Sequence, residues 1–182
     1  DPSLSAKVLG LVNSPLYGLP NRVSTVSHAV KLLGMDTVKN IAICASVHEV
    51  FSRGRSVRSL HLAGFWSHSL TVAVLSRKLA QEVDYPSPEE AFLSGLLHNI
   101  GRLILAEIYP EEYSSLLAYE EYGNGLEEKE EALGMTHMEA GAYLISHWNL
   151  PSLIADAVRY HHEHPELVRT SFPLVHIVNA AC

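Results

Sequence analysis

The residues with the clearest capacity for chemistry are imidazole and carboxamide side chains set into the apolar faces of different predicted helices. They are His68, His98, Asn99, His137, His161, His162 and Asn179. An unpaired polar group in a protein core costs about 1–3 kcal/mol, so these side chains need partners. Taken singly, each is more typical of a hydrogen-bonded core residue than of a metal ligand. Their number favours a shared polar centre, in which they bind one another or a metal ion.

The elements that must position these side chains are helices. Apolar residues recur at intervals of three and four, and no stretch alternates long enough to indicate a sheet. The strongest start signals are Ser87-Pro88 with Glu90, and the Thr136-x-x-Glu139 capping box. We therefore expect an all-α, multi-helix bundle without significant β-sheet, formed by one domain over residues 1–182. The predicted helices are Leu4–Asn13, Val26–Leu33, Thr37–Phe51, Val57–Val83, Pro88–Ile108, Glu111–Tyr122, Leu126–Leu133, His137–Trp148, 151–162 and a last one from 172 or 173.

Helical spacing predicts which way the polar residues face. His68 shares a face with Leu75 and Leu79, because residues separated by multiples of three and four align on a helix. Asn99 lies on the stripe of apolar residues in its predicted helix. His137 begins its helix, where the positive end of the helix dipole disfavours imidazolium and keeps a ring nitrogen available to a metal.

Composition narrows the range of partners and cellular compartments that we expect for the protein. The net charge is −7, and nine glutamates lie between Glu107 and Glu131 against Lys129 alone, which we interpret as a solvated acidic face. A basic stripe with interleaved aromatics is missing from the sequence, which disfavours nucleic acid as a partner. The two cysteines form no C-x-x-C motif, and the apolar runs are too short for membrane insertion, so we expect a cytoplasmic protein. Both ends begin or stop inside a helical pattern, and we expect them to be cut from a longer polypeptide.

The order H…HN…H…HH…N resembles the HD superfamily, whose metal-dependent phosphohydrolases carry H…HD…H…HH…D. The stretches LVNSPLYGLPNRVSTVSHAVKLLGMDTVKNIA, FWSHSLTVA, EEAFLSGLLHNIGRLIL and THMEAGAYLISHWNLPSLIADAVRYHHEH are similar to the HDOD branch, the HD-related output domain of bacterial signalling proteins. The resemblance covers essentially the whole chain, and NSPLYGLP is specific to that branch.

The resemblance implies a set of ligand positions and three departures from the family pattern. His68, His98, Asn99 and Asn179 would surround a first metal, and Asn99, His137, His161 and His162 a second. Both aspartates of the hydrolases are asparagine here. The lysine that often follows the HD motif is Arg102, a possible contact for an anion. The G-Y-P element of cyclic-di-GMP phosphodiesterases is missing after His162.

Two function classes follow from these departures. The first is a non-enzymatic signal-transduction output domain, a degenerate phosphohydrolase fold that senses a ligand or contacts protein partners or fused regulatory domains. The second is a metal-dependent phosphohydrolase with an atypical His and Asn ligand set. One transition metal ion, Fe, Zn or Ni, could be retained by the imidazoles, and a metal-free core is an equal alternative. We assign no residue a catalytic role.

Overall fold

The computed structural model describes residues 2–15, 17–52, 62–120, 126–164 and 173–182, and every structural statement below concerns these residues. Within them the chain is all-α and contains no β-strand, which confirms the predicted fold class. The predicted start at residue 57 and the alternative start at residue 172 lie outside the described residues. The chain divides into two compact units, Asp1–Arg53 and Gly54–Cys182.

The first unit contains α1 (Pro2–Val12), α2 (Val26–Leu33) and α3 (Met35–Ser52). Thr25 caps α2 by accepting a hydrogen bond from the amide of His28, and Gly34 ends it at a φ of 86°, a conformation that favours glycine. The helices enclose an aliphatic core of Val8, Val12, Val23, Ala29, Val38 and Ile41.

The second unit contains the helices that carry the predicted polar centre. They are α4 (Leu62–Glu82), α5 (Pro88–Leu97), α6 (Ile100–Ile108), α7 (Pro110–Glu120), α8 (Leu126–Glu131), α9 (His137–His147), α10 (Ser152–Arg159) and α11 (Pro173–Ala181). Helix α4 packs along α5, α11 packs on α4, α5 and α10, and α9 packs on α6 and α10. Small buried side chains of α4, α5 and α10 contact the larger aliphatic ones of α11 in one core cluster.

Two glycines allow the closest helix approaches in this unit. A Cβ at Gly95 would meet the backbone of α4 at Ala73, and a Cβ at Gly101 would collide with the backbone carbonyl of His137. These contacts bring the end of α5 against α4 and the start of α6 against the start of α9. The side chains that follow α5 and those at the start of α6 and α9 are therefore held close to one another.

Within the part of the chain that the structure describes, one helical stretch, Pro88–Ile108, is long and apolar enough to cross a membrane. An 18-residue window of this stretch has a mean hydropathy of 1.3, and 78% of that window is buried inside the protein. It forms the central α5–α6 segment of the second unit. Its burial accounts for its apolar character.

Candidate metal centre

His98 lies where the predicted helix Pro88–Ile108 breaks into two. The Nδ1 atom of His98 is 2.7 Å from the carbonyl oxygen of Gly95. In an unbroken helix that carbonyl would accept from the amide of Asn99, so the imidazole competes with the helical ladder. Asn99 adopts φ −99° and ψ 11°, and α6 starts after it. The prediction of one continuous helix is therefore wrong at His98 and Asn99.

His161 repeats this local arrangement at the end of α10. Its Nδ1 atom is 2.8 Å from the carbonyl oxygen of Val158, three residues earlier. The helix ends at Arg159, and His161 and His162 lie in the turn that follows rather than inside the helix as predicted. Because a carbonyl can only accept, Nδ1 carries the proton in both His98 and His161. Each ring therefore presents a lone pair on Nε2.

His137 is held by a buried carboxylate. Glu130 is fully buried, and its Oε2 atom accepts from the backbone amide of His137 at 2.8 Å and lies 2.6 Å from Nδ1 of the same residue. Tyr113 donates its hydroxyl to the other oxygen, Oε1, at 2.7 Å. The predicted capping box of Thr136 and Glu139 is present and fixes the start of α9. His137 is thus anchored through Nδ1, and its Nε2 has no hydrogen-bond partner.

The two asparagines behave differently. Asn99 is buried, and its Oδ1 atom has no hydrogen-bond partner. Asn179 donates through Nδ2 to the carbonyl oxygens of His161 at 2.7 Å and Glu163 at 3.1 Å. The two carbonyl acceptors require the NH₂ group on that side of the amide, which assigns its orientation. Asn179 therefore clamps the turn that carries His161 and His162.

The five imidazoles form a continuous row. Ring centroids lie 5.2 Å apart for His68 and His98, 5.1 Å for His98 and His161, and 5.4 Å for His161 and His137. His162 lies 4.1 Å from His161 and 5.4 Å from His137, again between ring centroids. Donor atoms of His137, His161 and His162 all lie within 4.8 Å of one another, as do those of His68, His98 and Cys182.

Burial lowers the pKa of three imidazoles of this row, those of His98, His161 and His162. Loss of solvation lowers the pKa of His98 to about 3, helped by the charges of His68, Arg102 and His162 and opposed by the Gly95 carbonyl. Burial, with the charge of His137 next, lowers the pKa of His162 to about 4, and burial also holds the pKa of His161 well below its ordinary value. Neutral imidazole is the form that binds a metal.

Glu130 remains a carboxylate although it is buried. Burial alone would raise its pKa, but the hydrogen bonds and charge of His137, together with the Tyr113 hydroxyl, lower the pKa below the ordinary value. A carboxylate on the far nitrogen of an imidazole is the usual support of a metal-binding histidine. Glu130 could therefore orient His137 and increase the basicity of its Nε2.

The donor set fits a transition metal ion. The Nε2 atoms of His137 and His161 are buried without hydrogen-bond partners, and the Nδ1 atoms of His98, His137 and His161 are all anchored on acceptors. Three or more imidazole nitrogens suit Zn, Fe or Ni. Within the described residues, neither group of donors includes an aspartate or a glutamate.

Of the predicted residues, His68 departs most from its expected environment. The buried face of α4 consists of Ser69, Val72, Ala73, Ser76 and Ala80, whereas His68 is exposed and Leu75 is 43% exposed. The prediction that His68 lies on the buried face is wrong, because the small side chains, rather than the leucines, allow α4 to approach α5. The imidazole still reaches the centre from its rim, with Nε2 3.3 Å from Nε2 of His98. Arg102 is near enough for its charge to lower the pKa of His98 and His162.

Two residues near the centre, Glu130 and Cys182, were not predicted from the sequence. Glu130 was included in the solvated acidic face, and that interpretation is wrong for this one glutamate. Its position was readable, because Leu126, Glu130 and Leu133 share one helical face. Cys182 was treated only as a lone cysteine, although it follows Asn179 by about one helical turn.

Comparison with known proteins shows which family this chain matches. The sequence profile described as HDOD domain matches residues 1–164. A protein of Treponema pallidum (strain Nichols), described as uncharacterized, is 26% identical over 181 residues, which are 98% of this chain and 34% of that protein. The chain thus spans about a third of that curated relative.

Solved structures share the fold over the whole chain. An HDOD domain protein of unknown function from Geobacter sulfurreducens is 29% identical, with a TM-score of 0.85 over 100% of this chain and 61% of that one. A protein from Shewanella amazonensis SB2B inferred to be a phosphohydrolase is 31% identical, with a TM-score of 0.83 over 100% of this chain and 64% of that one. A protein from Marinobacter aquaeolei VT8 inferred to act in signal transduction is 25% identical, with a TM-score of 0.76 over 100% of this chain and 41% of that one.

Proposed function

This chain belongs to the HDOD domain family, and we propose that it is a non-enzymatic output domain of signal transduction whose hydrolase-like centre holds at most one transition metal ion. The observation that carries the proposal is the state of the two asparagines. Asn179 turns its NH₂ group toward two backbone carbonyls, and Asn99 offers only a neutral amide oxygen.

The charge of the centre argues against a pair of metal ions. Two divalent cations about 4 Å apart repel by roughly 17 kcal/mol at an effective dielectric constant of about 20. Two-metal hydrolases offset this repulsion with anionic bridges while the metals generate a hydroxide. Imidazole supplies no negative charge, and both carboxylate oxygens of Glu130 already bind Tyr113 and His137. A dinuclear cluster would therefore lack its anionic bridge.

A single ion does not meet this obstacle. Imidazoles whose Nδ1 is anchored and whose Nε2 faces the centre could ligate one Fe, Zn or Ni ion without an anionic bridge. The metal-free alternative is a core of imidazoles held through the Nδ1 atoms of His98, His137 and His161, with the Nε2 atoms of His68 and His98 3.3 Å apart. With or without the metal ion, the centre then serves as a rigid core that responds to a ligand, and it does not generate a hydroxide nucleophile.

The partners that we propose are signalling proteins or regulatory domains of the same polypeptide, in the cytoplasm. The support is the likeness to a protein inferred to act in signal transduction, together with the small share of the relatives' length that this chain covers. The net charge of −7 disfavours nucleic acid as a partner. Among the described residues, the one stretch that is apolar enough to span a membrane, Pro88–Ile108, is mostly buried, which supports the proposal that this domain is not inserted in a membrane.

The second candidate is a metal-dependent phosphohydrolase with an atypical ligand set. The likeness to a protein inferred to be a phosphohydrolase and the retention of five imidazoles in one row favour it. Under this alternative Arg102 would contact the phosphate, because its charge lies beside the imidazole row.

A hydrolysis screen separates the two candidates. The protein is incubated with bis(p-nitrophenyl) phosphate and with cyclic dinucleotides in Fe²⁺, Mn²⁺, Zn²⁺ or Ni²⁺. His98→Ala serves as the centre variant, and His28→Ala, which changes an exposed histidine of the first unit, as its matched control. We expect no turnover above that of the metal solution. Turnover that His28→Ala retains and His98→Ala loses would contradict the non-enzymatic proposal.

A further inference from the structure

Cys182 lies beside the row of imidazoles at the end of α11. Its amide donates to the carbonyl oxygen of Val178 at 3.0 Å, which continues the helical ladder and places its side chain about one turn beyond Asn179. The thiol is the only sulfur donor among the described groups of metal-binding side chains. Its sulfur lies near ring nitrogens of two histidines. His68 is on α4, and His98 lies at the break between α5 and α6.

The distances within this group are close to those of a coordination sphere. The Nε2 atoms of His68 and His98 are 3.3 Å apart. Tetrahedral zinc bonds of about 2.05 Å to nitrogen place two nitrogens about 3.3 Å apart, and a bond of about 2.3 Å to sulfur gives a nitrogen-to-sulfur edge of about 3.6 Å. All donor atoms of the group lie within 4.8 Å of one another. Each distance from the sulfur to a nitrogen donor is therefore at most about 1.2 Å longer than that edge of a zinc tetrahedron.

We infer that His68, His98 and Cys182 bind one divalent metal ion of the zinc class, with the Cys182 thiolate as its anionic ligand. The inference deepens the proposed function, because it names the site of the single ion. His98 is fully buried and its Nδ1 lies against the Gly95 carbonyl, so it is the fixed inner ligand, whereas His68 is exposed and reaches the site from its rim. Three protein ligands leave a fourth position for solvent.

The sulfur supplies the charge that the centre otherwise lacks. The amide of Asn179 faces carbonyl oxygens, so the position that resembles the final aspartate of the hydrolases offers no anion. Cys182, on the same helix, reaches the adjacent space with a group that ionises when a metal binds. Burial raises the pKa of the thiol, and the charge of Arg102 opposes that rise. Thiolate also selects soft ions over Mg²⁺ and Mn²⁺.

Cobalt(II) tests this inference directly, because a thiolate ligand gives a near-ultraviolet charge-transfer band that an imidazole does not. The full chain, stripped with chelator and kept reduced, is titrated with CoCl₂. Cys182→Ser is the test variant, and Cys44→Ser, which changes the other cysteine, is its matched control. We expect the band in the wild type and in Cys44→Ser, and its loss in Cys182→Ser with cobalt affinity lowered about tenfold or more.

The outcomes separate this inference from the proposed function. Cobalt that binds the wild type without the charge-transfer band, or a band that Cys182→Ser keeps, would overturn the sulfur ligand and leave a single metal on imidazoles intact. Failure of cobalt to bind the wild type would overturn the site itself. Phosphodiester turnover would overturn the non-enzymatic proposal without affecting the assignment of Cys182. Circular dichroism of each variant shows that a lost band reflects a lost ligand rather than unfolding.

Discussion

Replacing Asn179 by aspartate restores the residue that the hydrolase pattern would have, yet we expect it to destabilise the metal-free protein. The amide donates to the carbonyl oxygens of His161 at 2.7 Å and Glu163 at 3.1 Å. A carboxylate cannot donate, and it would face two oxygens that carry partial negative charge.

The magnitude follows from the burial of each bond. The bond to the buried His161 costs about 1–3 kcal/mol when its acceptor is left unsatisfied, and the exposed bond to Glu163 adds about 0.5 kcal/mol. We expect Asn179→Asp to lower the free energy of unfolding by roughly 2–3 kcal/mol. For a chain of this size that is a fall in Tm of roughly 4–12 °C.

The assay is urea unfolding, followed by circular dichroism, in the presence of chelator. Asn21→Asp is the matched control, because it makes the same change of charge at an exposed position of the first unit. We expect that control to stay within about 0.5 kcal/mol of the wild type. Unchanged stability of Asn179→Asp, with tighter metal binding, would refute the reasoning, since it would mean that residue 179 faces the metal rather than the carbonyls.

Three further predictions address other contacts of the centre. Glu130→Gln should lower the free energy of unfolding by about 1–3 kcal/mol, because the hydrogen bonds of His137 and Tyr113 to a buried carboxylate lose their charged acceptor, whereas its exposed neighbour variant Glu131→Gln should stay within about 0.5 kcal/mol of the wild type in urea unfolding. Gly101→Ala should destabilise the protein by about 3 kcal/mol or more in urea unfolding, because its Cβ collides with backbone, whereas Gly10→Ala, which meets no atom within 4 Å, should be neutral or stabilising. In the metal-free protein burial lowers the pKa of His98 from 6.5 to about 3, so the unfolded state binds more protons between these values. Stability that is present above pH 6.5 should fall by about 2 kcal/mol by pH 5 from His98 alone, and the lowered pKa values of His161 and His162 add to this fall. Urea titrations at stepped pH measure the fall, and a flat profile would contradict it.

The fold was readable from the sequence because its signals are local. Helical periodicity and the Thr136 capping box act within one or two turns, and the structure confirms both. The break after Leu97 was not readable, since the apolar pattern runs through it without interruption. It depends on a ring nitrogen of His98 competing for a backbone carbonyl, which periodicity does not encode.

The residues of the candidate site could be identified from the sequence, but their burial and their contacts could be predicted less well. Helical spacing placed His68 with the leucines of α4, whereas packing buried the alternative face of alanines and serines against Gly95. Glu130 was hidden by its acidic neighbours, although its spacing from Leu126 indicated burial. Such choices are made by tertiary contacts, and the sequence alone does not rank them.

The charge of the centre is tested most directly by counting metal ions in crystals of protein saturated with Fe²⁺, Zn²⁺ or Ni²⁺, using anomalous scattering at each metal's absorption edge. Because the centre lacks an anionic bridge, we predict at most one anomalous peak per chain within the row of imidazoles. Two peaks about 3.5–4 Å apart, bridged by an oxygen atom, would contradict it.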